Sequence, residues 1–475
     1  MIVGARARPL LTQAAILGGV ASTQVVLLGL VATHRVVPAV ALALLPLIAL
    51  AMLALVRSNR LVLVGAALGL SLTIPPLQEP LPLSVPGSVY VTDLIVLASI
   101  GSWALGRFTT LRPEPARWPR APVLGWPLLL LAGAVLSAAI RGHVEYGANI
   151  VGQPVRLVAY AAIGFALTDL DPDRLLRLVV GVYYAGAAWM FLNALYLLAT
   201  GGHQTDQVGL STGGARTLSL TVGICLTAAL LLALLNFHLE DTSGRRVLHI
   251  VIAGLATFGI VLAFGRAVFL SLAVTAPLPL ILSSRIRRGL VAWLPLCLPA
   301  FVLVTLLIPR AMPQLIPTLV DRVATAPSAD VNVRWRQAAA AAVLEQARES
   351  PVVGAGFGRD STFTFAGVRR TITQDPHNSY VYLLAGGGVL ALGSFLLLVL
   401  VSLIDSVRRL LGARRPRERI LIAWAVLALV VYMVNAAAEP VLSNPPMLLT
   451  IWTLILLPVC VEPGPRERGP APARG

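Results

Sequence analysis

Apolar segments, each long enough to cross a bilayer, recur along almost the whole of this chain, and nothing else limits its fold so strongly. A segment in hydrocarbon must pair every backbone N–H and C=O internally, so a run of about 20 apolar residues reads as a membrane-spanning helix. Fourteen such runs can be drawn, at 10–32, 36–56, 61–78, 88–106, 122–140, 153–170, 177–199, 216–236, 247–265, 267–284, 289–309, 379–404, 419–437 and 443–461. Pro75 and Pro76 cut the third short. The pair 247–265 and 267–284 is parted only by Arg266, and reads either as two spans with a tight turn or as one bent region. Charged residues make up only 12% of the chain, against about 25% in soluble domains. The expected fold is an all-α polytopic membrane protein of 12–14 transmembrane helices, with one large extracytoplasmic loop containing short helices.

The net charge of +16 comes from arginine, since the chain has no lysine. On a soluble protein that charge would point to nucleic acid. Here its distribution explains it, and no nucleic-acid partner is expected. With Arg6 and Arg8 in the cytoplasm, cytoplasmic segments hold 24 of the 37 arginines, whereas the short outer loops hold only Arg35, Arg141, Arg156, Arg216 and Arg266. That is the positive-inside bias. The remaining eight lie in 310–378, a segment long enough to be exported whatever its charge. Residues 10–32 read as the first span and not as a cleavable leader. Cys225, Cys297 and Cys460 fall inside apolar runs and read as packed thiols, neither a disulfide framework nor metal ligands. No internal repeat is visible, which counts against folds built from duplicated halves.

The chain therefore divides into transmembrane helices 1–11 in residues 1–309, an extracytoplasmic catalytic loop at 310–378, C-terminal transmembrane helices at 379–461 and a disordered cytoplasmic tail at 462–475. Within the loop, 336–349 is rich in helix formers and Ser350-Pro351 ends that helix. Gly354-Ala-Gly-Phe-Gly358 does not match a dinucleotide fingerprint and reads as a hinge or a close-packing turn. Residues 359–376 read as polar and irregular.

The residue most suited to chemistry is His377, at the mouth of the long apolar run 379–404. The positive end of the helix dipole and the nearby arginines disfavour imidazolium there, which suits a general base. Asn378 is placed to cap the helix and Ser379 adds a polar group at its mouth. His34, His143, His203, His238 and His249 read as ordinary interfacial histidines. Arg266 stands between apolar residues with no acidic neighbour in sequence, and with Arg216, Arg334 and Arg336 it lies on the outer face. Guanidinium groups hold phosphate oxygens in pairs, so an anionic ligand is the simplest partner. The loop's acidic residues, Asp321, Asp330, Glu345, Glu349, Asp360 and Asp375, are scattered, with no spacing that supports a divalent metal. No cofactor is expected.

These residues resemble the bacterial O-antigen ligase and O-antigen polymerase superfamily. His377-Asn378 followed by Gly388 is similar to that family's His-[Asn/Ser]-x9-Gly signature, with Ala391 where another small residue is usual. The stretch from Arg334–Arg336 through Pro351-Val-Val-Gly-Ala-Gly356 resembles its loop pattern, and Phe264-Gly265-Arg266-Ala267 resembles its Ser-Arg-Gly turn with two replacements. Arg216, ahead of a span, matches a recurring arginine; the likeness covers about 200–440. It implies a metal-independent inverting glycosyltransferase of the bacterial inner membrane, with its active site facing outward. Its donor would be a glycan on undecaprenyl pyrophosphate, and its acceptor a glycan or glycolipid. His377 would be the base, with Arg216, Arg266 and Arg334 or Arg336 on the pyrophosphate. Counting back from Pro351 favours Arg336, whereas the Arg-Trp dipeptide favours Arg334. The rival reading is a flippase or transporter for lipid-linked oligosaccharide.

Overall fold

The computed structural model describes residues 60–72, 80–81, 88–109, 122–146, 152–168, 170–200, 218–237, 242–263, 265–277, 331–373 and 376–460. Expected spans 10–32, 36–56 and 289–309 and the tail 462–475 lie outside them, as do Arg216, Cys297, His34, His203 and His238. The described helices are α1 (Arg60–Gly69), α2 (Val91–Thr109), α3 (Pro122–Tyr146), α4 (Gly152–Ala159), α5 (Gly164–Leu167), α6 (Pro172–Thr200), α7 (Leu220–Phe237), α8 (Ser243–Ala263), α9 (Arg266–Thr275), α10 (Val331–Glu349), α11 (Ser379–Gly412), α12 (Pro416–Ala436) and α13 (Pro445–Cys460). A 3-10 turn at Tyr160–Ile163 joins α4 to α5. Six of these helices, α3, α6, α7, α8, α11 and α12, are long and apolar enough to cross a membrane. The protein is an all-α, multi-pass membrane protein. The ambiguous region around Arg266 is two helices, parted at the extended Gly265 that caps α9.

Helices α7 and α12 form the centre. Their residues are 78% and 83% buried, against 33% for α3, as expected of helices that are apolar on all sides. Trp424 and Trp452 are fully buried. Their indole N–H groups donate to Ala228 O at 3.0 Å and Leu157 O at 2.9 Å, tying α12 to α7 and α13 to α4. Tyr183 meets Trp424 edge to face. Cys225 and Cys460 are buried thiols outside any disulfide. His249 is buried, and its Nδ1 shares a 2.6 Å hydrogen bond with the Tyr184 hydroxyl.

A second polar cluster ties α2 to α4. The Asp93 carboxylate takes Arg156 Nε at 2.8 and 3.1 Å, Arg156 Nη2 at 3.0 Å, the Tyr160 hydroxyl at 2.7 Å and the Tyr90 N–H at 2.9 Å. Arg156 Nη2 also donates to Ser88 O, and its guanidinium lies over the Tyr90 ring. The Tyr160 hydroxyl is shared with Thr92 at 2.6 Å.

The segment after α10 does more than turn. Helix α11 is broken at Gly388, whose φ of 68° and ψ of −169° only glycine adopts at ease. Such a break leaves backbone groups without helical partners. Residues 351–356 supply them: Ala355 N–H donates to Ala385 O and Gly356 N–H to Gly386 O, while Val389 and Leu390 N–H donate to Pro351 O and Val352 O. The fit is close enough that a Cβ on Gly388 would strike Val352 O. Arg141, at the end of α3, donates to Gly354 O at 2.5 Å and pins the segment from the other side. The glycine-rich stretch is a close-packing turn.

Residues 359–376 are not irregular throughout. Ser361–Phe365 and Val368–Ile372 pair as an antiparallel hairpin, β1 and β2. The alternation Ser-Thr-Phe-Thr-Phe is a strand pattern, and Ala366 and Gly367, both at positive φ, form the two-residue turn that matches strand twist. The hairpin packs on α10. Trp335 meets the Phe363 ring at 5.9 Å, and Gln346 Nε2 donates to Asp360 O and shares a hydrogen bond with Ser361 Oγ.

Candidate functional site

His377 sits where the loop enters α11. Its backbone is left-handed, at φ 57°, a region in which Asn, Asp and His are the better tolerated side chains. That twist delivers the chain to Asn378, whose side-chain oxygen caps the helix by accepting from Tyr380 and Val381 N–H, each at 3.1 Å. Ser379 is fully buried. Its hydroxyl donates to Glu439 O at 3.0 Å and accepts from Leu442 N–H at 3.1 Å, so the turn after α12 is clamped to the start of α11. The Tyr380 hydroxyl donates to Met433 O, adding a second tie between the two helices.

The clamp brings Glu439 to His377. Glu439 Oε2 lies 3.9 Å from His377 Nδ1, close enough for attraction but beyond hydrogen-bond length. Nδ1 is buried and has no hydrogen-bond partner among the described residues. The other carboxylate oxygen accepts from Arg336 Nη1 at 2.9 Å, and the same nitrogen donates to Ala438 O at 2.6 Å. Burial acts to raise the Glu439 carboxyl, but His377 and Arg336 outweigh it and hold the group below its ordinary range. Trp335 completes the arrangement, its ring edge-on to the imidazole with centroids 5.8 Å apart.

The two loop arginines part company. Positions 334 and 336 are about 200° apart around a helix. Arg336 faces Glu439 across a sequence distance of 103 residues, whereas Arg334 is exposed. Arg266 is exposed at the first turn of α9. Its end of the bundle can be traced. Cys225 meets Tyr432, and Ala228 meets Trp424, so α7 and α12 run antiparallel and Leu220 shares an end with Ala436. A side chain on Gly265 would strike Leu220, which puts Arg266 at the end that carries Glu439 and His377.

Glu439 escaped the sequence reading because it belongs to no motif and lies outside the large loop. Its one signal is being the acidic residue of the short turn between the last two spans, next to Pro440.

The all-α membrane bundle thus gathers a histidine, a carboxylate and an arginine at one end. Residues 251–396 match the family model described as O-Antigen ligase, a stretch that runs from α8 through the loop to the break in α11. Over that stretch the chain is similar to the O-antigen ligase family. No curated protein matches it.

Proposed function

We propose that the protein is a metal-independent, inverting glycosyltransferase of the bacterial inner membrane, which moves a glycan from undecaprenyl pyrophosphate to an acceptor hydroxyl on a glycan or glycolipid. Ligase and polymerase differ only in that acceptor. The observation that carries the reading is that His377 and Arg336 converge on one carboxylate, beside a loop held rigidly against the membrane helices. His377 Nε2 takes the acceptor proton as the acceptor oxygen attacks the anomeric carbon. The bond from that carbon to the phosphate oxygen breaks, and its electron pair leaves on the pyrophosphate. Arg336 and Arg266, with Arg334 and Arg216 as further candidates, bind the pyrophosphate and stabilise it as a leaving group. The arginine bias supports an outward-facing site. On this reading 310–378 is the catalytic loop between the helices of 1–309 and 379–461, and 462–475 is a cytoplasmic tail.

The test is glycan transfer by purified protein in detergent, using the undecaprenyl-pyrophosphate glycan extracted from the source cells. His377→Asn keeps a residue that tolerates the left-handed backbone. It is expected to abolish transfer and to make the lipid-linked donor accumulate in cells. Normal polymer without donor accumulation rejects the proposal. Transfer in detergent also rejects the flippase reading, because flipping requires a bilayer.

A further inference from the structure

We infer that Glu439 is a positioning residue that changes partners when the donor arrives, from Arg336 to His377, so that binding the pyrophosphate is what completes the base. The inference rests on the proposed transfer reaction and deepens it.

Three observations lead to it. First, Arg336 is only partly committed. Both of its described hydrogen bonds, to Glu439 and to Ala438 O, use Nη1. Nε and Nη2 make no hydrogen bond among the described residues, and the side chain is 28% exposed. A guanidinium with two open donors at an accessible edge can take a phosphate without first leaving its carboxylate. Second, His377 is unfinished. Its Nδ1 is buried without a partner among the described residues, and Glu439 Oε2, which faces it, is about 1 Å too far for a hydrogen bond. Third, the backbone of Glu439 is fixed by Ser379 and Val441 while its carboxylate spans the two groups, so side-chain rotation alone moves it between them.

The pyrophosphate carries more negative charge than a carboxylate and competes for the guanidinium. As Arg336 turns to it, Glu439 loses its hydrogen bond inside a largely buried turn, and the Nδ1–H of His377 is the donor within reach. That bond fixes the tautomer with the Nε2 lone pair toward the acceptor, and it stabilises the imidazolium that forms when Nε2 takes the proton. Without a donor, the carboxylate stays on Arg336 and the histidine lacks its orienting partner.

Glu439→Gln separates this from a merely structural role. The amide still accepts from Arg336 but carries no charge to transfer to Nδ1. The expected result in the detergent assay is a fall in kcat of about 100-fold, with donor KM unchanged or lower. Undecaprenyl pyrophosphate alone, used as a binding probe, should bind Glu439→Gln at least as tightly as the parent and Arg336→Ala more weakly. Glu439→Asp keeps the charge and should recover at least about tenfold of the loss in kcat. It carries the test alone if the glutamine variant does not fold, with kcat reduced and KM within about twofold of the parent. A kcat within threefold of the parent for Glu439→Gln overturns the inference. So does a loss matched by a proportional rise in KM. His377→Asn in the same assay keeps the two claims apart. If it is inactive while Glu439→Gln is fully active, only the partner exchange fails; if it is active, the proposed reaction fails with it.

Discussion

Arg156 and Arg336 each pair with a carboxylate in this bundle, and they are satisfied to different degrees. Around Arg156, one carboxylate receives the arginine, a tyrosine hydroxyl and a backbone N–H, and the guanidinium is sandwiched by a ring and a carbonyl. Around Arg336, among the described residues, two donors stay open and the neighbouring imidazole has a buried nitrogen with no partner. A complete network of this kind fixes α2 against α4. An incomplete one costs free energy while empty, and it persists most naturally where a ligand finishes it. Residue type alone does not tell these two arginines apart; the occupancy of their neighbours does.

Four measurements would break or sharpen that contrast. The largest expected effect is Asp93→Ala, which leaves Arg156 charged and buried and should lower stability by about 3–5 kcal/mol, read from unfolding in detergent. Replacing both partners with apolar residues, Asp93→Leu with Arg156→Met, should restore most of that loss. Unchanged stability in Asp93→Ala would show that the network is not structural. Next, His377→Asn should cut kcat by at least about 100-fold and shift the unfolding midpoint little, the reverse of the Asp93 result. Gly388→Ala forces a side chain into an ε-region backbone against Val352 O, at a cost of about 1–3 kcal/mol, and should weaken transfer as the start of α11 shifts. The smallest effect is pH dependence. The Glu439 carboxyl is depressed in the folded protein, so its contribution is complete above the ordinary carboxylate range and is lost as pH falls through the folded value. Glu439→Gln should flatten that acid limb of the stability profile. An unaltered limb would mean that another carboxylate carries it.

The helices were legible because lipid permits few alternatives: a run such as 220–237 admits one structure. The break in α11 was not read from the sequence, where 379–404 is one apolar run. Gly388 and the loop glycines stood out, but hydropathy does not say which backbone a turn will dock on. The hairpin was hidden by its arginines, Arg369 and Arg370, although Ser-Thr-Phe-Thr-Phe carried a period of two. Which of Arg334 and Arg336 reaches Glu439 depends on the phase of α10 against its neighbours. Trp335, buried between Phe363 and His377, marks that phase only once the packing is known. Glu439 needed the third dimension entirely.

The break at Gly388 also divides the labour of the longest helix. Val389–Gly412 would reach about 36 Å at 1.5 Å per residue, more than the hydrocarbon depth of a typical bilayer. That portion can serve as the anchor by itself. The turns before it are then relieved of crossing anything and act as a plinth, joined to the rod below not by a continuous helical ladder but through the one peptide that is hydrogen-bonded to both.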